Sequence, residues 1–284
     1  MDPSQSLDNL TGLVLADKYR LGSLLGAGGM GCVYAAEQLS LGRTVAIKLL
    51  YPSRFGQRGA TVRAEALAAS RVNHPHAVAI FDVDVTQDDV PYVVMEHLRG
   101  RTLAEVIETE PLRLQQIIRI GIQVLSALAE AHRCSVIHCD LTSDNVIVER
   151  GRSSEDFAKV IDFGLSRGAE DGRSEGVAGT PEYMAPEAIR GEPLTPRTDL
   201  YAMGILLYEM IVGRTPFAGG SLAVVIDGHL HATPPAPREN VPACPVELSD
   251  LVMWALAKDP AGRPLDADAM SAVLLSLDDP SATR

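Results

Sequence analysis

A glycine-rich turn near the N-terminus constrains the fold of this chain more than any other sequence feature. Gly26, Gly28 and Gly31 stand in G-x-G-x-x-G spacing, which also occurs in plain hairpins and is a weak signal by itself. A dinucleotide-binding fold needs a helix directly after the third glycine. Residues 32–34 are instead typical of a strand, and residues 44–48 form the next. The pattern predicts a glycine loop between antiparallel strands, where backbone N–H groups can approach phosphate.

A lysine lies in the middle of the apolar strand that follows. Lys48 is flanked by valine, isoleucine and leucine, and a buried ammonium group needs an anionic partner. Glu65 is the only acidic residue between Glu37 and Asp82, and its alanine-rich surroundings favour a helix. We therefore predict a Lys48–Glu65 ion pair. The alternative is a surface lysine with Glu65 on a solvated helix face.

Three oxygen-bearing side chains follow short apolar runs in the middle of the chain. Asp140 and Asn145 share one loop, and Asp162 ends the next predicted strand. Carboxylate and amide oxygens suit Mg²⁺, so Asn145 and Asp162 are candidate metal ligands. Asp140 lies close to His138 and could orient an attacking hydroxyl. For any one of these residues, the alternative is an Asx cap in an ordinary turn.

Two further segments organise the chain around this loop. Residues 91–100 predict a buried strand that leaves into a glycine-containing connection, which is a place where two lobes can join. Residues 114–133 carry apolar residues at helical spacing and predict a core helix. The proline-rich residues 231–240 predict a loop.

Length and charge exclude several classes of protein. A chain of 284 residues fits one large domain or two joined lobes. The formal net charge of −12 argues against a dedicated nucleic-acid or anionic-membrane binder. We find no apolar run long enough for a membrane span and no signal-peptide pattern, so a cytoplasmic location is the expectation. The 4 cysteines lack metal-site spacing and predict reduced thiols.

Taken together, these segments resemble the eukaryotic-like protein kinase superfamily, most closely the bacterial Ser/Thr protein kinases, from about residue 19 to residue 277. The sequence GTPEYMAPE at 179–187 extends the resemblance. So do Asp199, which matches the family's buried carboxylate that braces the catalytic loop, and Arg263, which matches the partner of Glu187. It implies an α+β, two-lobed kinase fold with a β-rich N-lobe containing one helix and a mainly helical C-lobe. The expected organisation is an N-terminal extension (1–18), an N-lobe (19–96), a C-lobe (97–278) and a tail (279–284).

The same resemblance implies an ATP site and a magnesium site, with Mn²⁺ as an alternative ion. The nucleotide-binding residues would be Gly26, Ala27, Gly28, Gly31, Val33, Ala46, Lys48, Glu65, Met95, Glu96 and Leu98. Among them, Glu96 and Leu98 would bind adenine through their backbones, with Met95 as the gatekeeper. The catalytic residues would be Asp140, Lys48 and Thr180, with Thr180 in contact with Asp140, and the metal ligands would be Asn145 and Asp162.

The loop that carries Asp140 departs from the family pattern H-R-D-L-K-P-x-N. Cys139, Thr142 and Ser143 replace the arginine, the lysine and the proline. The expected function remains transfer of the γ-phosphate of ATP to Ser or Thr hydroxyls of protein substrates, with a regulatory partner or a dimer left open. The missing lysine keeps a second interpretation open, a pseudokinase that binds nucleotide with weak or no transfer. A small-molecule kinase is disfavoured by the peptide-groove motif at 179–187. Because Cys139 cannot bind a phosphate as arginine does, we also expect little dependence on phosphorylation of Ser174.

Overall fold

The computed structural model describes residues 10–51, 59–86, 88–150, 155–163 and 180–278, with the side chains of 59–62 left out. Its N-terminal part is an antiparallel sheet with the strand order β1-β2-β3-β4-β6-β5. The strands are β1 (Val14–Leu15), β2 (Tyr19–Gly28), β3 (Gly31–Gln38), β4 (Arg43–Leu50), β5 (Ile80–Val85) and β6 (Pro91–Glu96). The predicted strands around the glycine loop are therefore confirmed. Strand β1, which pairs with β2, lies within the expected N-terminal extension.

The alternation of side chains along β4 determines which of them face the cleft. Val45, Ile47 and Leu49 pack into one apolar cluster on one face of the sheet. Ala46 belongs to a second cluster on the other face. Because successive side chains in a strand point to opposite faces, Lys48 shares the face of Ala46. Helix α1 (Gly59–Ala69) packs against β5 and β6.

The C-terminal part is mainly helical. Its helices are α2 (Leu103–Thr109), α3 (Leu114–Arg133), α4 (Pro186–Ile189), α5 (Pro196–Val212), α6 (Leu222–His231), α7 (Pro237–Asn240), α8 (Val246–Ala255) and α9 (Ala267–Asp278). A small sheet joins β7 (Arg101–Thr102), β8 (Val146–Arg150) and β9 (Asp156–Val160) in that order. The helix predicted over 114–133 is confirmed. The loop predicted over 231–240 is partly wrong, because a proline at the first position starts the short helix α7.

Helix α5 is the centre of the C-terminal core. It is apolar around most of its circumference, and nearly all its residues from Thr198 to Met210 are buried. It packs against α3 and α8, while α3 also contacts α9 and β9. Backbone hydrogen bonds at 2.9 Å join Val160 of β9 to His76 and Val78 beside the N-terminal sheet. These bonds connect the two parts next to the cleft. Within the described ranges, no helix combines the length and the apolarity needed to cross a membrane.

Candidate active site

Lys48 and Asp162 form an ion pair across the cleft between the two parts. The Nζ atom of Lys48 lies 2.6 Å from Oδ2 of Asp162, and their side chains are 7% and 20% exposed. Both charges are largely removed from water, so each depends on the other for compensation. The sequence predicted Glu65 as the partner of Lys48. That pair stays a prediction, because the ion pair shown for Lys48 is the one with Asp162.

Asp162 is held in a backbone conformation that non-glycine residues seldom adopt, with φ of 63°. The next residue, Phe163, is buried, and its ring lies 4.9 Å from the ring of His138. His138 in turn contacts the carbonyl oxygen of Ile161 at 2.9 Å through Nε2. These contacts on both sides of Asp162 offset the strain and fix its carboxylate in the cleft.

Asp140 and Asn145 are linked within their loop. The Nδ2 amide of Asn145 donates to the backbone oxygen of Asp140 at 2.8 Å and, more weakly, to its Oδ2 at 3.4 Å. The backbone N–H of Ile161 donates to the backbone carbonyl oxygen of Asn145 at 2.9 Å, which ties the loop to the strand before Asp162. Burial raises the pKa of Asp140 above its usual value, and a hydrogen bond from the Thr180 backbone offsets part of this effect. The predicted contact between Thr180 and Asp140 is therefore made by the Thr180 backbone.

A buried carboxylate braces the backbone of this loop from below. Asp199 of α5 accepts hydrogen bonds from the N–H groups of His138 at 2.8 Å and Cys139 at 2.9 Å. Its Oδ2 also lies 2.8 Å from Nε2 of His132 on α3. Asp199 was predicted to support the loop, whereas His132 was missed, since nothing in the sequence distinguishes it from other residues of a helix end. Cys139 has a φ of 68°, so Asp199 also holds a strained residue next to Asp140.

Four of the predicted nucleotide-binding residues lie in one apolar cluster. Val33, Ala46, Met95 and Leu98 pack in the cluster that also contains Ile161. Ile161 was missed by the sequence analysis, although its position directly before Asp162 could have indicated it. Glu96 was predicted for its backbone. Its side chain forms an unpredicted ion pair with Lys159 of β9 at 2.6 Å.

The three glycines of the turn differ in why they are glycine. Gly28 and Gly31 are paired at the end of the β2–β3 hairpin, and Ala27 lies opposite Cys32. A Cβ atom on Gly31 would lie 2.0 Å from the Leu49 carbonyl oxygen, so strand packing alone requires glycine there. A Cβ atom on Gly26 or Gly28 would meet no described atom within 4 Å, which agrees with a role in approach to a ligand.

Comparison with known proteins agrees with this geometry. The protein kinase domain family matches residues 19–274. The chain belongs to that family. It is 40% identical over 283 residues to the serine/threonine-protein kinase pkn3 of Myxococcus xanthus, with 95% of this chain and 52% of the relative covered. It is 35% identical to the serine/threonine-protein kinase PrkC of Bacillus subtilis over 272 residues, 93% of this chain and 41% of the relative. This kinase domain therefore spans about half the length or less of these curated relatives.

Solved structures confirm the predicted α+β kinase fold. The crystal structure of the kinase domain of Mycobacterium tuberculosis PknI matches with a TM-score of 0.75. The alignment covers 94% of this chain and 98% of the PknI chain at 22% sequence identity. At this identity the match establishes the fold, and the roles of individual residues depend on the geometry above.

The family's buried ion pair is present in this kinase domain. The Nη1 and Nη2 atoms of Arg263 donate to the carboxylate of Glu187 at 2.6 and 2.7 Å, and both residues are buried. Burial by itself would raise the pKa of Glu187, but the hydrogen bonds and charge of Arg263 outweigh it and hold that pKa below its usual value. The pair ties the segment after Thr180 to the C-terminal helices. Ser174, whose phosphorylation is expected to matter little, lies outside the described residues.

Proposed function

We propose that this kinase domain transfers the γ-phosphate of ATP to Ser or Thr hydroxyls of protein substrates. The observation that carries the proposal is the placement of Lys48, Asp162, Asn145 and Asp140 around one cleft under an apolar cluster. Phosphoryl transfer needs positioning and charge stabilisation more than covalent participation by the enzyme. An ammonium, two oxygen ligands and a hydroxyl-orienting carboxylate supply those requirements.

The two sides of the cleft suit the two ends of ATP. Val33, Ala46 and Leu98 present an apolar surface for a planar base, with the strand end at Glu96 beside it. Lys48 lies on the same face of β4 as Ala46, two residues further along the strand and beside Asp162, where it can bind the phosphates. Backbone N–H groups of the turn at Gly26 and Gly28 are the candidates for covering them.

The donor atoms next to Lys48 fit a divalent cation. Asn145 uses its amide nitrogen to bond Asp140, which leaves Oδ1 as a ligand, and Asp162 has its second carboxylate oxygen in addition to the one that contacts Lys48. The part of the chain that the structure describes has no cluster of three or more His, Cys, Asp or Glu suited to a metal. A Mg²⁺ ion held by only Asn145 and Asp162 would complete its shell with phosphate and water oxygens, as Mg²⁺ prefers. When bound, it would supply charge neutralisation for the phosphates.

Asp140 is placed to orient the acceptor hydroxyl. Its carboxylate is held by the loop through Asn145 and by the backbone N–H of Thr180. Thr180 begins the segment that resembles the substrate-facing loop of Ser/Thr kinases. An acceptor side chain beside Thr180 would therefore lie next to the carboxylate that accepts its hydrogen bond.

A radiolabelled ATP assay with a generic protein acceptor tests the proposal. The wild type should label the acceptor, and Asp162→Asn should reduce labelling at least about a hundredfold, because it removes charge from the metal site. Asp250→Asn, an exposed residue on α8, is the matched control and should keep wild-type activity. A wild type that binds nucleotide but labels no protein would contradict the proposal in favour of a nucleotide-binding module.

A further inference from the structure

We propose that Ser143 is a positioning residue that locks the loop of Asp140 onto the substrate-facing segment through Tyr183 and Glu209. The inference rests on the proposed kinase function and extends it to a residue with no assigned role. Ser143 stands where the family pattern has proline. Proline fixes its own φ angle and offers no hydrogen-bond donor, so the two residues must stabilise the loop by different means.

Ser143 offers two donors toward one phenol. Its Oγ lies 2.9 Å from the hydroxyl oxygen of Tyr183, and its backbone N–H makes a longer contact of 3.5 Å with the same oxygen. Proline has neither group. Ser143 and Tyr183 are only 3% and 8% exposed, so water cannot replace these bonds easily and an unmade one would be costly.

Glu209 of α5 completes the network. The Tyr183 hydroxyl donates to Oε2 of Glu209, and the Ser143 hydroxyl is within 3.3 Å of Oε1 of the same carboxylate. Since the Tyr183 proton goes to Glu209, the Tyr183 oxygen is available as the acceptor for Ser143. The three residues thus connect the catalytic loop, the segment after Thr180 and the central helix of the core.

The network has a functional consequence because of where its members lie in the chain. Ser143 lies between Asp140 and Asn145, and Tyr183 lies in the turn Pro181–Tyr183 that directly follows Thr180. The loop of Asp140 therefore meets the substrate-facing segment at two points, Asp140 with the Thr180 backbone and Ser143 with Tyr183. The second contact sets the distance between Asp140 and the acceptor hydroxyl of a substrate that is bound against that segment. Small displacements of this kind reduce transfer without affecting nucleotide binding.

Kinetics of Ser143→Ala separate positioning from general stability. We expect kcat/KM for a protein acceptor to fall roughly three- to tenfold, as expected for one buried hydrogen bond. The KM for ATP and the slow hydrolysis of ATP by water should stay within about twofold, since neither uses the acceptor segment. Ser126→Ala is the matched control, because the Ser126 hydroxyl donates to the Gln123 carbonyl of its own helix and to no other described residue. It should leave all three quantities unchanged.

A double-mutant cycle tests whether Ser143 acts through Tyr183. Tyr183→Phe should reduce acceptor phosphorylation. Ser143→Ala should add little in the Tyr183→Phe background, because the 2.9 Å bond to Tyr183 is already broken and only the longer contact of 3.3 Å with Glu209 remains. Additive losses would overturn the proposal. Wild-type kinetics for Ser143→Ala would also overturn the proposal. So would wild-type kinetics for Ser143→Pro, because the stiffness of proline would then be enough to position the loop.

The same cycle, measured on the urea unfolding midpoint, detects the bond independently of activity. Additive shifts of the midpoint would contradict the inference even if no acceptor were phosphorylated. Absence of labelling by the wild type would instead contradict the proposed function.

Discussion

The amine of Lys48 and the carboxylate of Asp162 lie 2.6 Å apart and join strand β4 to the residue pair that follows β9. The same two side chains are the candidates for binding the phosphates and the metal ion. In the cleft, the charge of each side chain is therefore neutralised by the other, and both side chains would contact the same bound nucleotide. When a nucleotide and its metal ion bind, the phosphates would compensate the charge of Lys48 and the metal ion that of Asp162. Neither side chain would then be left as an uncompensated ion.

Lys48→Met should abolish acceptor phosphorylation and leave the fold intact. The substitution removes the cation that would bind the phosphates, while methionine keeps the apolar part of the side chain. The substitution leaves the largely buried carboxylate of Asp162 without its partner, but 20% of that side chain stays exposed, so the loss in unfolding free energy should stay below the about 3–5 kcal/mol of a fully buried pair. Turnover and thermal melting are the measurements, with the exposed Lys18→Met as control. Activity above roughly a tenth of wild type would contradict the role of Lys48.

Asp140→Asn should lose activity and gain thermal stability. Burial raises the pKa of Asp140 in the folded protein, so the folded state holds this proton more tightly than the unfolded state. The stability that its protonated form contributes is present in full below the unfolded pKa, about 3.9, and is lost as the pH rises through the folded pKa. Asparagine carries no such charge at neutral pH. Melting temperatures of the wild type and the variant check this, since the gain in stability should be larger at pH 7 than at pH 4. A variant less stable than wild type at pH 7 would refute it.

Local sequence pattern predicts the parts of the site that depend on periodicity. Contacts between residues far apart in the chain followed only from the family resemblance, as for Asp199 and the loop of Asp140, or were missed. Alternation along β4 places Lys48 on the cleft face, and the helix over 114–133 follows from its apolar spacing. The ion pair of Lys48 with Asp162 and the bond between His132 and Asp199 join residues far apart in the chain. Periodicity carries no information about such pairs. The Lys48–Glu65 pair stays a prediction.

Glu187→Gln should destabilise the protein by about 3–5 kcal/mol at neutral pH, because it leaves the buried Arg263 without its counter-ion. The pKa of Glu187 is held low in the folded state, so its stabilising effect is present above the unfolded pKa, about 4.3. That effect is lost as the pH falls through the folded pKa, and the difference between wild type and variant should narrow in acid. Urea unfolding at several pH values measures it.

The control for Glu187 is a surface pair of the same chemistry. Glu155→Gln breaks the contact of Glu155 with Arg119 at 3.4 Å, where the side chains are 64% and 46% exposed. Its effect should stay within about 1 kcal/mol. Equal losses of unfolding free energy for the two variants would show that the buried pair contributes no more to stability than the surface pair.

Thr142→Lys should raise kcat several-fold. The loop has threonine where the family has a lysine, and residues His138 to Asn145 include no lysine or arginine. A preorganised cation beside the transferred phosphoryl group can contribute a few kcal/mol to transition-state stabilisation, although a grafted lysine should recover only part of that. Thr142 is 2% exposed, so the lysine stem must pass through packed surroundings before its amine reaches the cleft.

Thr142→Met separates charge from bulk, because methionine fills similar space without a cation. We expect Thr142→Met to lower kcat or leave it unchanged. In Thr142→Lys the new positive charge also favours the ionised form of Asp140, so the acid limb of kcat/KM should move to lower pH. The measurements are kcat at saturating ATP and acceptor, and the pH profile of kcat/KM for the three proteins. A rise in kcat for both variants would assign the effect to packing, and no rise for Thr142→Lys would show that another basic side chain already stabilises the transferred group.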